Sequence, residues 1–218
     1  MTTTLSTGPA KPGSGLRARA DVLARLAVAL AGSAQVVICY LTVALWQRVD
    51  AIRDPVSDYA FFTPGRAWFA GAIVLVLLSG LALSAAMTDI GLLRSTPTNV
   101  LFGLWAAGLL LVAVFQGNRT ADDPTLHGEI HRLGGALFLT CFPLACWTLA
   151  KTLASNPLWT SGARRIRHLS VVGMVTAAAF GLAQIVPALP EGLLERLALG
   201  AELVLLVAVA LIVRKAPR

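Results

Sequence analysis

Charge is scarce in this sequence: Asp, Glu, Lys and Arg make up 13% of the 218 residues, while 56% are hydrophobic. Soluble domains carry about a quarter charged residues. A water-facing surface cannot be built from so few, which excludes an ordinary soluble fold and makes lipid the solvent for most of the chain. Cysteine is sparse as well. Cys39, Cys141 and Cys146 all lie inside apolar runs and read as small buried hydrophobes, not as a disulfide framework. Lysine is limited to Lys11, Lys151 and Lys215, and this Arg-rich, Ala-rich usage points to a GC-rich bacterial genome. Missing too are a P-loop, a dinucleotide fingerprint, a nucleophile elbow, a Cys-x-x-Cys pair and any internal repeat. The formal charge of +7 is spread over short segments between apolar runs, which excludes a nucleic-acid-binding face.

What the chain does have is six long apolar runs: about Leu26–Trp46, Ala67–Met87, Thr98–Gln116, His131–Ala150, Leu169–Val186 and Leu193–Val213. Each has roughly the 20 residues that cross a hydrocarbon core of about 30 Å. The expected fold is an all-α integral membrane protein with six transmembrane helices. Its parts are a basic, partly disordered tail over 1–24, a membrane domain over 25–214 and a short tail over 215–218. The first run is too long for a signal-peptide core and is read as an uncleaved span. Thr63-Pro64, Thr96-Pro97 and Asp123-Pro124 each place a capping side chain before a proline, as at helix starts. Pro143 falls inside the fourth run and should kink it.

Lys11, Arg17, Arg19, Arg25, Arg94, Lys151, Arg164, Arg165, Arg167, Arg214, Lys215 and Arg218 gather on one side of this arrangement. Arg48, Arg53, Arg66, Arg119, Arg132 and Arg196 fall on the other. The majority side is the cytoplasmic one, so both termini are expected there, in a cell membrane. Arg164, Arg165 and Arg167 form a patch suited to anionic lipid. The acids partition the opposite way: Asp50, Asp54, Asp58, Asp122, Asp123, Glu129, Glu191 and Glu195 fall on the outer side. Acids carry little topological weight, so their gathering asks for another reason.

The densest group of chemically capable side chains runs from Gln116 to Gly135. Asp123, His127 and His131 are spaced i, i+4, i+8 and share one helix face with Gly134, Phe138, Cys141 and Ala145. Leu126, Ile130, Leu133 and Leu137 form a separate stripe suited to lipid. Glu191, Glu195 and Glu202 fall within about 40° of one another on the last helix. Glu202 lies two turns into an apolar run, where a carboxylate is costly and marks a functional site or a buried pair. Its candidate partners are a histidine, an outer-loop arginine, Gln184 or Gln35.

Three uses of these residues stay open. One is structural, with Asp123 as a cap and the histidines at headgroup depth. The second is a polar pocket for a solute, ion or proton, built from Ser57, Asp58, Asp123, His127, His131, Gln184, Glu195 and Glu202. The third is a metal site, possible zinc, with His127, His131 and a carboxylate from Asp123, Asp58 or Glu195 as ligands and Glu129 or Glu202 as general base. The His-x-x-x-His spacing is not that of the zinc peptidases, because Glu129 is the second of the three intervening residues and points off the ligand face.

Asp54-Pro55-Val56-Ser57-Asp58-Tyr59, followed by Gly65-Arg66-Ala67-Trp68 and Gly71, resembles the first-loop signature of the "domain of unknown function 998" proteins. Phe115, Leu126-His127-Gly128, His131 and Pro143-Leu144-Ala145 resemble that family's segment from the third to the fourth helix. The resemblance covers roughly residues 26–213 and implies a six-helix membrane fold; it supplies no activity. A fainter likeness is to ceramidase and progestin-receptor-like membrane hydrolases, which hold zinc with a His-x-x-x-His pair and a third His. Here no third His lies on the outer side.

The leading expectation is therefore a six-helix membrane protein with an outward-facing pocket, transporter-like, sensing or accessory. A metal-dependent hydrolase of lipid or envelope substrates is the main rival. A structural subunit, as a homo-oligomer or beside another membrane protein, is the third.

Overall fold

The computed structural model describes residues 14–93, 95–118 and 124–215. All the expected spans appear as helices: α1 (Ser14–Ala44), α2 (Gly65–Asp89), α3 (Thr96–Val114), α4 (Leu126–Ala154), α5 (Thr160–Ala183) and α6 (Glu191–Arg214). Each is long and apolar enough to cross a membrane, and the described residues form no strand. The protein is an all-helical, multi-pass membrane protein. Short 3-10 helices lie at Val56–Phe61 and Pro157–Trp159.

α1 packs along α2 and also along α6; α4 packs along α3 and α5; α5 packs along α6. Without a hydrophobic drive between helices in lipid, small residues set these contacts. Ala20, Ala24, Ala27, Ala31 and Ala34 form the buried seam of α1, at spacings of three and four residues. Ser79 of α2 donates to the Ala27 carbonyl across that seam at 2.7 Å. Between α3 and α4 the backbones nearly touch. A Cβ on Gly108 would sit 2.6 Å from the Gly134 carbonyl oxygen, so only glycine fits there. α4 continues through Pro143, whose ring is buried against Gly173 of α5.

Three features differ from the sequence expectation. Cys39 is exposed, unlike the buried Cys141 and Cys146, because it lies off the buried seam of α1. α1 is described from Ser14, so residues 14–24 are helical where a partly disordered tail was expected; Ala20 and Ala24 extend the seam below the apolar run. Capping also departs from the Thr/Asp-Pro reading. Pro64 itself is the cap position of α2 and Ser95 that of α3, neither with a side-chain bond. α4 is capped by Thr125, whose Oγ1 accepts from the Gly128 N–H at 3.0 Å. Asp123, with Lys11, Arg94, Arg119 and Arg218, lies outside the described residues.

The two ends of the bundle are chemically different. At the end where α1 starts and α6 finishes, Asp21 of α1 bonds Arg214 of α6 at 3.1 Å and Arg25 at 2.9 Å, while Asp89 meets Arg19 at 3.4 Å. Arg164, Arg165 and Arg167 are exposed there around the buried Ile166. At the other end, three connections meet. The Leu193 N–H donates to the Ile52 carbonyl, and Gln116 Nε2 donates to the Ala60 carbonyl at 3.3 Å.

Candidate functional site

The connections are tied down by one arginine at the start of α6. Arg196 Nη1 donates to the Asp54 carbonyl and to the Gly192 carbonyl, each at 2.9 Å. Nη2 donates to the Tyr59 hydroxyl at 2.8 Å, and the guanidinium lies 5.6 Å from the centre of the Tyr59 ring. The chain of bonds continues inward: Tyr59 donates to Thr42 Oγ1 at 2.9 Å, and Thr42 donates to the Ile38 carbonyl. Beside it the Val56 N–H donates to Glu195 Oε2. Arg196 and Glu195 thus hold the 50–62 connection onto α1 and α6 through a planar fork of donors, a geometry that lysine does not offer.

Below this lid lies a cavity of about 810 Å³ to which all six helices contribute. Ser57, Asp58, His131, Gln184, Glu195 and Glu202 all line it. These residues come from the first connection, α4, the α5 end and α6, and the fold brings them to one space. Small-molecule sites fall in the same size range and share the mix of apolar wall and few polar groups.

The remaining candidates sit differently. His127 is exposed, with its ring edge-on to Phe115 at 5.5 Å, and does not line the cavity. His131 shares a 2.8 Å hydrogen bond between Nδ1 and the Phe115 carbonyl. The carbonyl can only accept, so Nδ1 carries the proton in this bond. Glu129 is exposed and bonds Asn118 at 3.3 Å and Arg132 at 3.5 Å. Among the described residues no three His, Cys, Asp or Glu side chains converge as metal ligands, and Asp123 is not among them.

Glu202 is 4% exposed. None of its expected partners reaches it: Gln184 donates instead to Glu191 at 2.7 Å, and Gln35 to Cys39 Sγ at 3.4 Å. The indole Nε1–H of Trp105, on α3, donates to Oε2 at 3.3 Å, and Oε1 has no partner. Trp105 is itself buried at 2% exposure, against Gly80, where a Cβ would lie 2.1 Å from two of its ring carbons. Sequence reasoning missed Trp105, Tyr59 and the role of Arg196. Two signals were present: a tryptophan in the middle of a span rather than at its end, and an Arg directly after a Glu where an apolar run begins.

The match to known families is decided by a family model described as "Protein of unknown function (DUF998)", which covers residues 26–212. The chain belongs to this family. Neither a curated protein nor a solved structure matches it. Membership in DUF998 agrees with the six apolar helices, and in this member Asp54 and Tyr59 carry the Arg196 contacts.

Asp58 lies outside the spans, in the 3-10 helix over the cavity. Burial, then the charges of Asp54 and Glu191, push its carboxyl up to about 7, with Arg196 opposing. The folded protein therefore holds this proton more tightly than the unfolded chain, and folding takes up a proton between pH about 4 and about 7. The Asp58 contribution to stability falls as pH rises through that interval and is level above it. Asp58→Asn should match wild type near pH 4.5 and exceed it by ~2–5 °C in unfolding temperature at pH 8. Thermal unfolding in detergent across pH 4.5–8.5 checks this; a gap independent of pH would contradict it.

Proposed function

We propose that this DUF998 member binds a small solute or ion in the cavity between its helices, as a transporter-like, sensing or accessory protein of the cell membrane. The observation that supports this reading is the continuity of one cavity from Asp58 and Glu195, under the connections, to Glu202 in the middle of α6. A buried carboxylate is costly in a membrane and is tolerated where it faces a cavity or a partner. The excess of Lys and Arg beside the termini supports placing both termini in the cytoplasm and the Arg196 lid outside. On the cytoplasmic side, exposed Arg164, Arg165 and Arg167 would meet anionic lipid.

The test is a thermal-shift screen of the purified protein in detergent against anions, cations and neutral solutes, beside Val76→Trp. Val76 lines the cavity, and the larger ring takes up its space. At least one compound should raise the wild-type unfolding temperature by ~3 °C or more at saturating concentration and leave the filled variant unmoved. A screen without any hit, or hits that persist in Val76→Trp, would overturn the reading.

A further inference from the structure

The cavity wall is one-sided in charge. Asp58, Glu191, Glu195 and Glu202 line it against Arg132 and Arg196. Arg132 pairs with Glu129, and the Nη atoms of Arg196 go to two carbonyls and Tyr59 while its Nε has no partner, so the acids outnumber the free cations. Deepest among the acids is Glu202, eleven residues into α6 and so ~16 Å along its axis. Its Oε1 faces no donor of the protein.

Around it the wall is aromatic. Trp105, Phe138 and Phe142 all line the cavity, with Trp105 centred 5.1 Å from Phe142 and 6.4 Å from Phe138. A carboxyl group with one oxygen unpartnered, in a wall rich in aromatic rings, suits a desolvated cation: the charge meets the oxygen and the ring quadrupoles together. A metal ion does not suit this place. Hard cations take six or more oxygen ligands and zinc takes four donors. Glu202 is the only buried charged residue among those described, and no cluster of ligands surrounds it. The wall also carries the apolar side chains of Phe69, Ile73, Val76, Leu109 and Leu203.

We infer that the cavity takes an organic cation with an apolar body, its charged centre towards Glu202 and its body against Trp105, Phe138 and Phe142. This rests on the proposal that the cavity is a binding site, and narrows it to one chemical class. The wall also includes Gln35 and Thr140, exposed residues midway along α1 and α4. That gives an amphiphile a way in from the lipid.

Two probes of one shape and opposite charge, tetraphenylphosphonium and tetraphenylborate, test the inference on the full chain in detergent by isothermal titration calorimetry. The phosphonium should bind wild type and the borate should not. Glu202→Gln should weaken phosphonium binding by ~30-fold or more and improve borate binding, an effect of ~2 kcal/mol. Glu202→Asp, which keeps the charge, should retain binding within ~10-fold. Phe138→Leu should cost the phosphonium ~3–5-fold, the size of one cation–ring contact. If Glu202→Gln does not fold, the Asp and Leu variants and the charge comparison in wild type still decide. Equal binding of both probes, lost in Val76→Trp, would overturn the cation assignment and leave the binding cavity standing. Binding of neither probe would overturn the cation assignment, and the cavity reading would then stand or fall on the solute screen. Phosphonium binding unchanged in Glu202→Gln would also overturn it.

Discussion

Replacing Arg196 with alanine should lower the unfolding temperature by ~5–10 °C and release the 50–62 connection from α6. The guanidinium supplies the donors for the Asp54 carbonyl and the Tyr59 hydroxyl. Each hydrogen bond from a charged donor is worth about 1.5–3 kcal/mol, more where the acceptor is left buried and unpaired. Tyr59 is fully buried, and Val56 beside it is 1% exposed, so water cannot fill the gap without moving the connection. A total of ~3–5 kcal/mol is expected. Arg196→Lys should recover less than half, because an ammonium cannot span a carbonyl and a phenol as a fork does. Hydrogen exchange localises the effect. The Val56 amide, which donates to Glu195, should exchange at least tenfold faster in Arg196→Ala, while amides in the α1–α2 seam keep their rates. Uniform acceleration along the chain would show that Arg196 supports the bundle and not the lid.

The second large effect comes from a single methyl group. Gly80→Ala places a Cβ 2.1 Å from Cη2 and Cζ3 of Trp105, well inside any real contact. The indole cannot yield easily, since Phe102, Phe138 and Phe142 hold its other sides and it is buried. Overpacking of this kind costs about 1–3 kcal/mol. Moving the indole also withdraws Nε1 from Glu202, leaving both carboxylate oxygens without a donor, for another ~1–3 kcal/mol. Gly80→Ala should therefore destabilise by ~3–5 kcal/mol and disturb the floor of the cavity. The mechanism has its own signature. Trp105→Phe removes the ring carbons that clash, so the double variant Gly80→Ala/Trp105→Phe should be at least ~1 kcal/mol more stable than the sum of the two single changes predicts. Strict additivity would mean that Gly80 matters for helix contact in general and not for seating Trp105.

The shared face of α4 shows where reading and structure meet and part. Gly134, Phe138, Cys141 and Ala145 are buried and Leu126 and Leu133 exposed, as the 3.6-residue period requires, but Ile130 and Leu137 of the expected lipid stripe are half-buried, Leu137 beside Gly108 of α3. Yet His127, at the outer end of the same face, is exposed. The helix ends meet Asn118, whose Oδ1 would lie 1.8 Å from a Cβ on Gly128, and not a helical partner. Periodicity describes a face only as far as something packs against it. The acidic face of α6 behaves alike: Glu191, Glu195 and Glu202 all reach the cavity, but each meets a different neighbour.

What the sequence determined by itself was therefore the number of helices, their membrane setting, most of the buried face of α4 and the segregation of charge. All of these follow from local composition and period, because lipid penalises every exposed backbone and charged group alike. The tertiary structure alone decided the pairings. Trp105 meets Glu202 across 97 residues and Arg196 meets Tyr59 across 137. Such contacts depend on the rotation and height of helices relative to one another. Those are set by close approaches such as Gly108 on Gly134, whose register no local pattern records.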